Sequence, residues 1–369
     1  MFIKALYNPI MLYSLLRPLL FKFDPEKMHH AMIGLGEGIS KTPFKVLVKI
    51  FFNYQNPILE QSWKNIVFKN PVGLAAGYDK NGRLTQFADA LGLGFLEVGS
   101  ITAKAWAGNP KPRVFRLPKD RAIINRMGLG NDGVDVISQR LKNTKESILL
   151  GINIAKTPLE QNETEGINDY LESYQKLYGV GAYHVLNLSC PNTHDGKTFE
   201  EPPAMKNLLT AIATYRKTQT TFKPLLIKLS PDTPFEKIDQ ILKIAKETQV
   251  DGYVISNTSK NRAGLKASSD RLNEIGNGGL SGDPINDRSN ALIRYVYQKG
   301  NKPFIIGVGG ISDPKSAYEK IKAGAALIQV YTGLIYEGPG LVNRINRGLA
   351  GELKRAGFKQ LNDAIGVAS

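Results

Sequence analysis

The chain contains one cysteine, Cys190, and four histidines, His29, His30, His184 and His194. A single thiol excludes a disulfide framework and any multi-cysteine zinc or iron–sulfur centre, and so few imidazoles leave no histidine-rich metal site, so no metal is expected. Long apolar runs are missing as well. Residues 2–23 are rich in Leu, Ile, Phe and Tyr, but Lys4, Asn8, Pro9, Arg17 and Pro18 interrupt them. A spanning helix needs about 20 mostly apolar residues, so none is expected here, and no small-residue cleavage site follows to suggest a secretory signal. There is no Walker loop, no paired-carboxylate constellation for hydrolysis and no Ser-His-Asp order. Internal repeats and low-complexity tracts are absent too. Acidic residues are the scarcer sign, 33 Asp and Glu against 48 Lys and Arg, which gives a net charge of +15. That surplus suits nucleic acid, an anionic membrane surface or anionic small ligands, and composition alone does not choose among them.

What is present is ordinary globular composition over 369 residues, 42% hydrophobic and 22% charged. The length allows more than one domain, although a single α/β barrel routinely takes about 250 residues. Asp24-Pro25-Glu26 reads as a helix start, with Asp24 as N-cap and Pro25 in the first turn, after which Met28, Ala31, Met32 and Leu35 recur at helical spacing. A further apolar run, Phe44 to Phe52, carries Lys45 and Lys49. These pieces fit a helical lid on a soluble domain, and equally a monotopic element whose apolar faces insert while Lys and Arg meet headgroups. A linker is expected near Asn53–Ile58, dividing an extension over 1–55 from a domain over 56–369. In the second part, short apolar runs alternate with helical stretches such as Phe235–Thr248 and Pro314–Ala323. Strands are expected at Val72–Ala76, Phe95–Gly99, Ile148–Ile154, His184–Leu188, Leu225–Leu229, Gly252–Ser256, Phe304–Val308 and Leu327–Tyr331. Eight buried strands alternating with helices predict a (β/α)8 TIM barrel with an N-terminal helical extension. A short pair, Ile66–Lys69 against the residues after Asn70-Pro71, is expected to close the barrel bottom.

Barrels of this kind place their chemistry at the C-terminal ends of the strands. Those ends carry Ala76-Gly77-Tyr78-Asp79-Lys80, Gly99-Ser100, Asn153, Asn187-Leu188-Ser189-Cys190-Pro191-Asn192, Lys228, Ser256-Asn257-Thr258, Gly309-Gly310 and Tyr331-Thr332-Gly333. Any one of these groups has an ordinary explanation: strand-end Asn residues make turns, surface lysines are solvated, glycines permit tight loops. Their coincidence on one rim points to a site. Glycines after the seventh and eighth strands suit a phosphate, which Gly279-Leu280-Ser281-Gly282 could cap from a preceding loop. Asn and Thr side chains suit a heterocycle with imide edges. Asp251-Gly252 sits at a strand start, on the opposite face.

The run Gly73-Leu74-Ala75-Ala76-Gly77-Tyr78-Asp79-Lys80-Asn81-Gly82 resembles the first-strand signature of the dihydroorotate dehydrogenase family. So do Lys111-Pro112-Arg113-Val114-Phe115-Arg116, Ile124-Asn125-Arg126-Met127-Gly128, Ser189-Cys190-Pro191-Asn192, Ser256-Asn257-Thr258, Gly278-Gly279-Leu280-Ser281-Gly282 and Ile306-Gly307-Val308-Gly309-Gly310. The resemblance runs from about residue 20 to residue 350. The helical extension is similar to that of the membrane-associated, quinone-dependent class 2; soluble class 1 members lack it.

The resemblance implies FMN-dependent oxidation of dihydroorotate to orotate in de novo pyrimidine (UMP) biosynthesis, with electrons passed to a membrane quinone. It implies FMN held by Ala76, Gly77, Lys80, Ser100, Asn153, Asn187, Lys228, Ser256, Gly282, Gly309, Gly310, Tyr331 and Thr332. Substrate contacts would come from Lys80, Asn125, Arg126, Met127, Gly128, Leu129, Asn187, Asn192, Asn257 and Thr258. His29, Arg116 and Tyr331 fall at quinone-tunnel positions. Class 2 uses a serine base where this chain has Cys190, the class 1 residue, and Leu129 and Gly130 stand where class 2 usually has phenylalanine and asparagine. A thiol, with an ordinary pKa of about 8.5, is a better base near neutrality than a serine hydroxyl. The expected protein is therefore a monomeric peripheral membrane enzyme on the cytoplasmic side of a bacterial-type inner membrane, docked by its N-terminal helices and without a nucleic-acid partner. The departures keep a soluble acceptor, fumarate or NAD, as the alternative within the enzyme reading. A non-catalytic flavin barrel that binds membranes or nucleic acid is the alternative outside it.

Overall fold

The computed structural model describes residues 9–144, 147–159, 161–189 and 198–369. Eight parallel strands close into a barrel: β3 (Val72–Leu74), β4 (Phe95–Ile101), β7 (Leu149–Ile154), β8 (Tyr183–Asn187), β9 (Leu225–Leu229), β10 (Gly252–Ile255), β12 (Phe304–Val308) and β13 (Leu327–Val330). All eight expected strands are there, two of them to the residue and the other six with one or both ends moved by one or two residues. The outer layer and the connections hold α4 (Val134–Lys142), α5 (Glu163–Leu177), α6 (Pro202–Lys217), α7 (Phe235–Glu247), α8 (Ser269–Ile275), α9 (Asn286–Lys299), α10 (Pro314–Lys322), α11 (Thr332–Glu337) and α12 (Leu341–Arg355). Strand and helix residues interleave in one large apolar core, in which Leu96, Ile137, Leu208, Ile238, Leu292 and Leu349 are fully buried. Truncating any of these to Ala would cost about 2–5 kcal/mol.

The barrel bottom differs from expectation in one respect. β2 (Ile66–Phe68) pairs antiparallel with the upstream β1 (Gln61–Trp63), not with the residues after Pro71. Lys64 turns the chain with φ +53°, and the segment after Pro71 is drawn instead into the barrel as β3, between β13 and β4. The plugging role holds: Ile66 and Phe68 pack with Phe95, Tyr183, Leu226, Val254 and Ile306 inside the barrel, and Trp63 stacks on Phe304 at 3.8 Å. Asp251 belongs to this lower end, where it receives Arg216 at 2.6 Å and Lys64 at 2.5 Å.

A second sheet was not foreseen. β5 (Val114–Leu117), β6 (Ala122–Asn125) and β11 (Gly279–Gly282) form an antiparallel layer with β6 in the centre. The stretch expected as a phosphate-capping loop, Gly279–Gly282, is thus a strand, with Gly278 just before it and Gly282 at its end both at positive φ. Glycine is a poor strand former, which hides this element from propensity reasoning.

Three helices precede the barrel: α1 (Pro9–Leu20), α2 (Pro25–Ser40) and α3 (Phe44–Phe52). Asp24 caps α2 as expected, accepting from the Lys27 N–H at 2.8 Å. The helices are fastened by polar contacts as well as by apolar packing, with Ile33 buried in the main core. Tyr13 donates to the Ile335 carbonyl at 2.6 Å, Arg17 to Tyr336 at 2.7 Å, and Lys45 and Lys49 both reach Asp89. α2 also lies close to the barrel: a Cβ on Gly36 would meet Leu84 and Phe87 at 2.8 Å. The outward sides stay apolar, with Leu15, Phe44 and Ile50 more than 60% exposed. No helix among the described residues is long and apolar enough to cross a membrane.

Candidate active site

One cavity of about 470 Å³ occupies the top of the barrel and continues beneath the helical extension. Its floor is polar and its far wall apolar. The floor is built from a chain of buried side chains. Glu97, pointing into the barrel from β4, accepts from Asn153 at 2.7 Å and from Gln329 at 2.6 Å. The Asn153 oxygen receives the Ser100 hydroxyl at 2.5 Å, Ser100 accepts from Asn187 at 2.9 Å, and the Asn187 oxygen accepts from Asn257 at 3.2 Å. Both contacts to Glu97 come from amide N–H groups, so this residue at the base sets which way the Asn153 amide faces and, through it, the groups above. Asn153 is consequently a support beneath the cavity rather than part of its lining.

Of the remaining expected cofactor residues, Ala76, Gly77, Lys80, Ser100, Asn187, Lys228, Ser256, Gly282, Gly309, Gly310, Tyr331 and Thr332 all line the cavity. Gly77, Gly282, Gly309 and Gly310 have φ between +72° and +110°, the left-handed region where a side chain is strained. Tyr331 is steered by a bond to the Gly77 carbonyl at 3.2 Å, and Thr332 meets Ser281 at 2.8 Å. Ser256 Oγ, Thr258 Oγ1 and Gln329 Oε1 are buried without a hydrogen-bond partner among the described residues, although all three residues border the cavity. Buried polar atoms are seldom left unpaired, so these three mark places for a polar ligand.

Among the expected substrate residues, Lys80, Asn125, Met127, Gly128, Leu129, Asn187, Asn257 and Thr258 also border the cavity. Burial, helped by the nearby Arg113 charge and opposed by Glu26, pulls Lys80 down to about 8. Asn257 is held by donating to the Ser189 carbonyl at 3.0 Å. Arg126 points elsewhere: its guanidinium donates to the Ile275 and Asn277 carbonyls and stacks on Phe115. Cys190 and Asn192 lie outside the described residues.

The expected tunnel residues His29, Arg116 and Tyr331 border the same cavity, on the side of the extension. His29 packs edge-on against Tyr78 at 5.0 Å, and Tyr78 against Tyr331 at 5.3 Å. Burial first, then the Lys80 charge, drives the His29 pKa down to about 3, so its imidazole is neutral. Arg116 is anchored by the Phe21 and Phe23 carbonyls. Met28, Met32, Leu35 and Ile39 of α2 supply the apolar wall.

Sequence reasoning missed Glu97 and Gln329, and it named Tyr78 and Ser281 only within longer runs, without a role of their own. Only Glu97 left a signal, an acidic residue inside an otherwise apolar strand. It also missed a buried ion pair. Glu26 accepts from Arg113 at 2.8 Å, and Arg113 donates to the Ala107 and Asn109 carbonyls at 2.9 and 2.7 Å.

The family model for dihydroorotate dehydrogenase matches residues 58–353. A dihydroorotate dehydrogenase (quinone) from Natronomonas pharaonis is 41% identical over 360 residues, covering 96% of this chain and 99% of that protein. One from Christiangramia forsetii is 43% identical over 336 residues, covering 90% and 97%. A crystal structure of DHODH from Eimeria tenella in complex with ferulenol superposes with a TM-score of 0.82 at 33% identity, over 94% of this chain and 96% of that one.

Proposed function

The chain belongs to the dihydroorotate dehydrogenase family, and from that premise we propose how its residues divide the work. It oxidises dihydroorotate to orotate in pyrimidine biosynthesis and passes the electrons to a quinone. The observation that supports the division of labour is the single cavity, polar over the barrel and apolar under the extension.

The residues present fit FMN: glycines at positive φ border the cavity at the ends of β11 and β12, and unpartnered oxygens of Ser256 and Gln329 lie along it. Gly309, Gly310, Gly282, Tyr331 and Thr332 hold the phosphate end, and Ser100, Asn187, Ser256 and Lys228 the ring. When bound, the flavin supplies the redox chemistry, taking two electrons from the substrate and yielding them to quinone. Charged Lys80 pairs with the substrate carboxylate. Asn125, Asn187, Asn257 and Thr258 satisfy the amide edges of the pyrimidine; leaving one unpaired would cost about 1–3 kcal/mol. Cys190 takes the proton from the ring carbon next to a carbonyl, and Asn192 is assigned to the substrate by its motif alone. The hydride leaves from the carbon that bears the carboxylate.

On the other side of the cavity, Arg116 offers hydrogen bonds to quinone carbonyls, with Tyr331 and neutral His29 lining the same space. The exposed apolar faces of α1 and α3, with Leu15, Phe44 and Ile50, support docking on a membrane, which we place on the cytoplasmic side with the protein as a monomer. Anaerobic holoprotein reduced by dihydroorotate and then mixed with a quinone, fumarate or NAD tests the reading. Reoxidation should be fastest with quinone; faster turnover with fumarate or NAD would assign a soluble acceptor.

A further inference from the structure

Lys320 of α10 is fully buried, far down the outer wall of the barrel from any solvent. The fold makes room for it deliberately. Gly307 sits in the middle of β12, where glycine weakens a strand, and a Cβ there would meet the Lys320 stem at 2.7 Å. The ammonium is held by neutral partners on α9, donating to Ser289 Oγ at 3.1 Å and to Asn290 Oδ1 at 2.7 Å. Both partners pass the bond onward. Ser289 donates to the Val308 carbonyl at 2.7 Å. Asn290 donates to Asn286 at 2.9 Å, and Asn286 to the Gly310 carbonyl at 2.9 Å.

These two arms end on either side of Gly309. Val308 C=O and Gly309 N–H belong to one planar trans unit and point in opposite directions. Ser256 N–H, at 2.9 Å, and Ser289 fix that carbonyl, so the Gly309 N–H is turned away from β10 toward the end of β13. The Gly310 carbonyl, fixed by Asn286, aims the Ile311 N–H away from α9 in the same manner. Gly309, Gly310 and Ile311 all border the cavity.

We propose that Lys320 is a positioning residue for anion binding: through Ser289 and through Asn290 and Asn286 it fixes the carbonyls flanking Gly309, and so aims the N–H groups of that turn at a phosphate monoester. This rests on the reading that the flavin phosphate occupies the Gly309–Gly310 turn. Burial, opposed by Asp287 and Glu319 and assisted by Arg294, brings the amine down to about 7. The two bonds survive that titration, since charged and neutral amine alike have at least two N–H donors.

The test compares two flavins that differ only in the phosphate. The full chain, stripped of flavin, is titrated with FMN and with riboflavin and followed by fluorescence quenching; circular dichroism melts accompany each variant. The native chain should prefer FMN. Lys320→Met, close in shape but without donors, should lose about tenfold or more in FMN affinity, the effect of about one hydrogen bond, while riboflavin affinity stays level. Ser289→Ala keeps Lys320, cuts one arm, and should move the same ratio in the same direction. If Lys320→Met does not fold, Ser289→Ala and Asn286→Ala decide the matter. An unchanged FMN-to-riboflavin ratio in these variants, or an equal loss for both flavins, would overturn the proposal. A native chain with no preference for FMN would instead overturn the placement of the phosphate.

Discussion

Replacing Glu26 with Gln should loosen the helical extension from the barrel by a predictable, pH-dependent amount. Glu26 lies in the first turn of α2 and is 5% exposed. Burial by itself would raise its pKa, but the hydrogen bonds and charge of Arg113, with Lys111 behind, outweigh this and hold the carboxyl at about 2, against an ordinary 4.5. A shift of about 2.5 units corresponds to about 3 kcal/mol. Because the folded pKa is the depressed one, that stabilisation is complete above pH 4.5 and is lost as pH falls from about 5 toward 2. Glu26→Gln keeps the shape and removes the charge, so the α2 amides should open more readily. Hydrogen exchange at residues 28–39 should speed up on the order of 100-fold at pH 7 and only roughly tenfold at pH 3, where most of the linkage is gone. The disturbance should reach the substrate loop, because Arg113 also positions Asn109, whose N–H and side chain bond to the Met127 and Arg126 carbonyls at 3.1 and 2.9 Å. Equal exchange in the two proteins at pH 7, or the same ratio at pH 7 and pH 3, would refute the reasoning.

Other outcomes follow from the site. Lys80, lowered to about 8 by burial and then by Arg113, pairs with a carboxylate only when charged, so orotate affinity should be flat below pH 8 and fall about tenfold per unit above it; a flat profile to pH 9.5 in the flavin-perturbation assay would remove Lys80 from that role. Cys190→Ala should bind orotate yet slow dihydroorotate-driven flavin reduction by about 10²–10⁴-fold, the worth of a positioned base, and Cys190→Ser should work best at higher pH; an undiminished half-reaction in the Ala variant would exclude the thiol. Leu15→Glu combined with Ile50→Glu should abolish sedimentation with anionic vesicles while leaving orotate binding unchanged, since both side chains are more than 60% exposed. These point changes are sharper than deleting residues 2–40, which would also strip Glu26 from Arg113 and remove a wall of the cavity.

The barrel was legible because its strands are short, fully buried and bounded by turn residues, a pattern few other folds share. Leu225–Leu229 and Phe304–Val308 match to the residue. The site was legible for the same reason: once strand ends are known, the residues just beyond them converge. What escaped were features that depend on pairing over long separations. Nothing near Gly279–Gly282 announces that it will lie against Ala122–Asn125, and the β1–β2 hairpin needed the Lys64 turn, which has no glycine to advertise it. Arg126 illustrates another limit. A motif places it beside the substrate loop, but its guanidinium is turned outward by carbonyls about 150 residues away in sequence.

Acceptor choice follows from where charge is allowed along the cavity. On the extension side the wall is Met28, Met32, Leu35 and Ile39, with a neutral His29 between Tyr78 and the solvent-side helices. Glu26 is paired with Arg113, while Arg116 gives only Nη1 to the Phe21 and Phe23 carbonyls and keeps its other N–H groups unengaged among the described residues. A dicarboxylate such as fumarate entering here would shed the hydration of two charges with Arg116 able to pair only one, at several kcal/mol for the other. A quinone has no such charge to desolvate, and its carbonyl oxygens need only the N–H donors that Arg116 presents. The same apolar helices that leave Leu15 and Ile50 facing outward are therefore the ones that make the inner route selective for a neutral, membrane-borne acceptor.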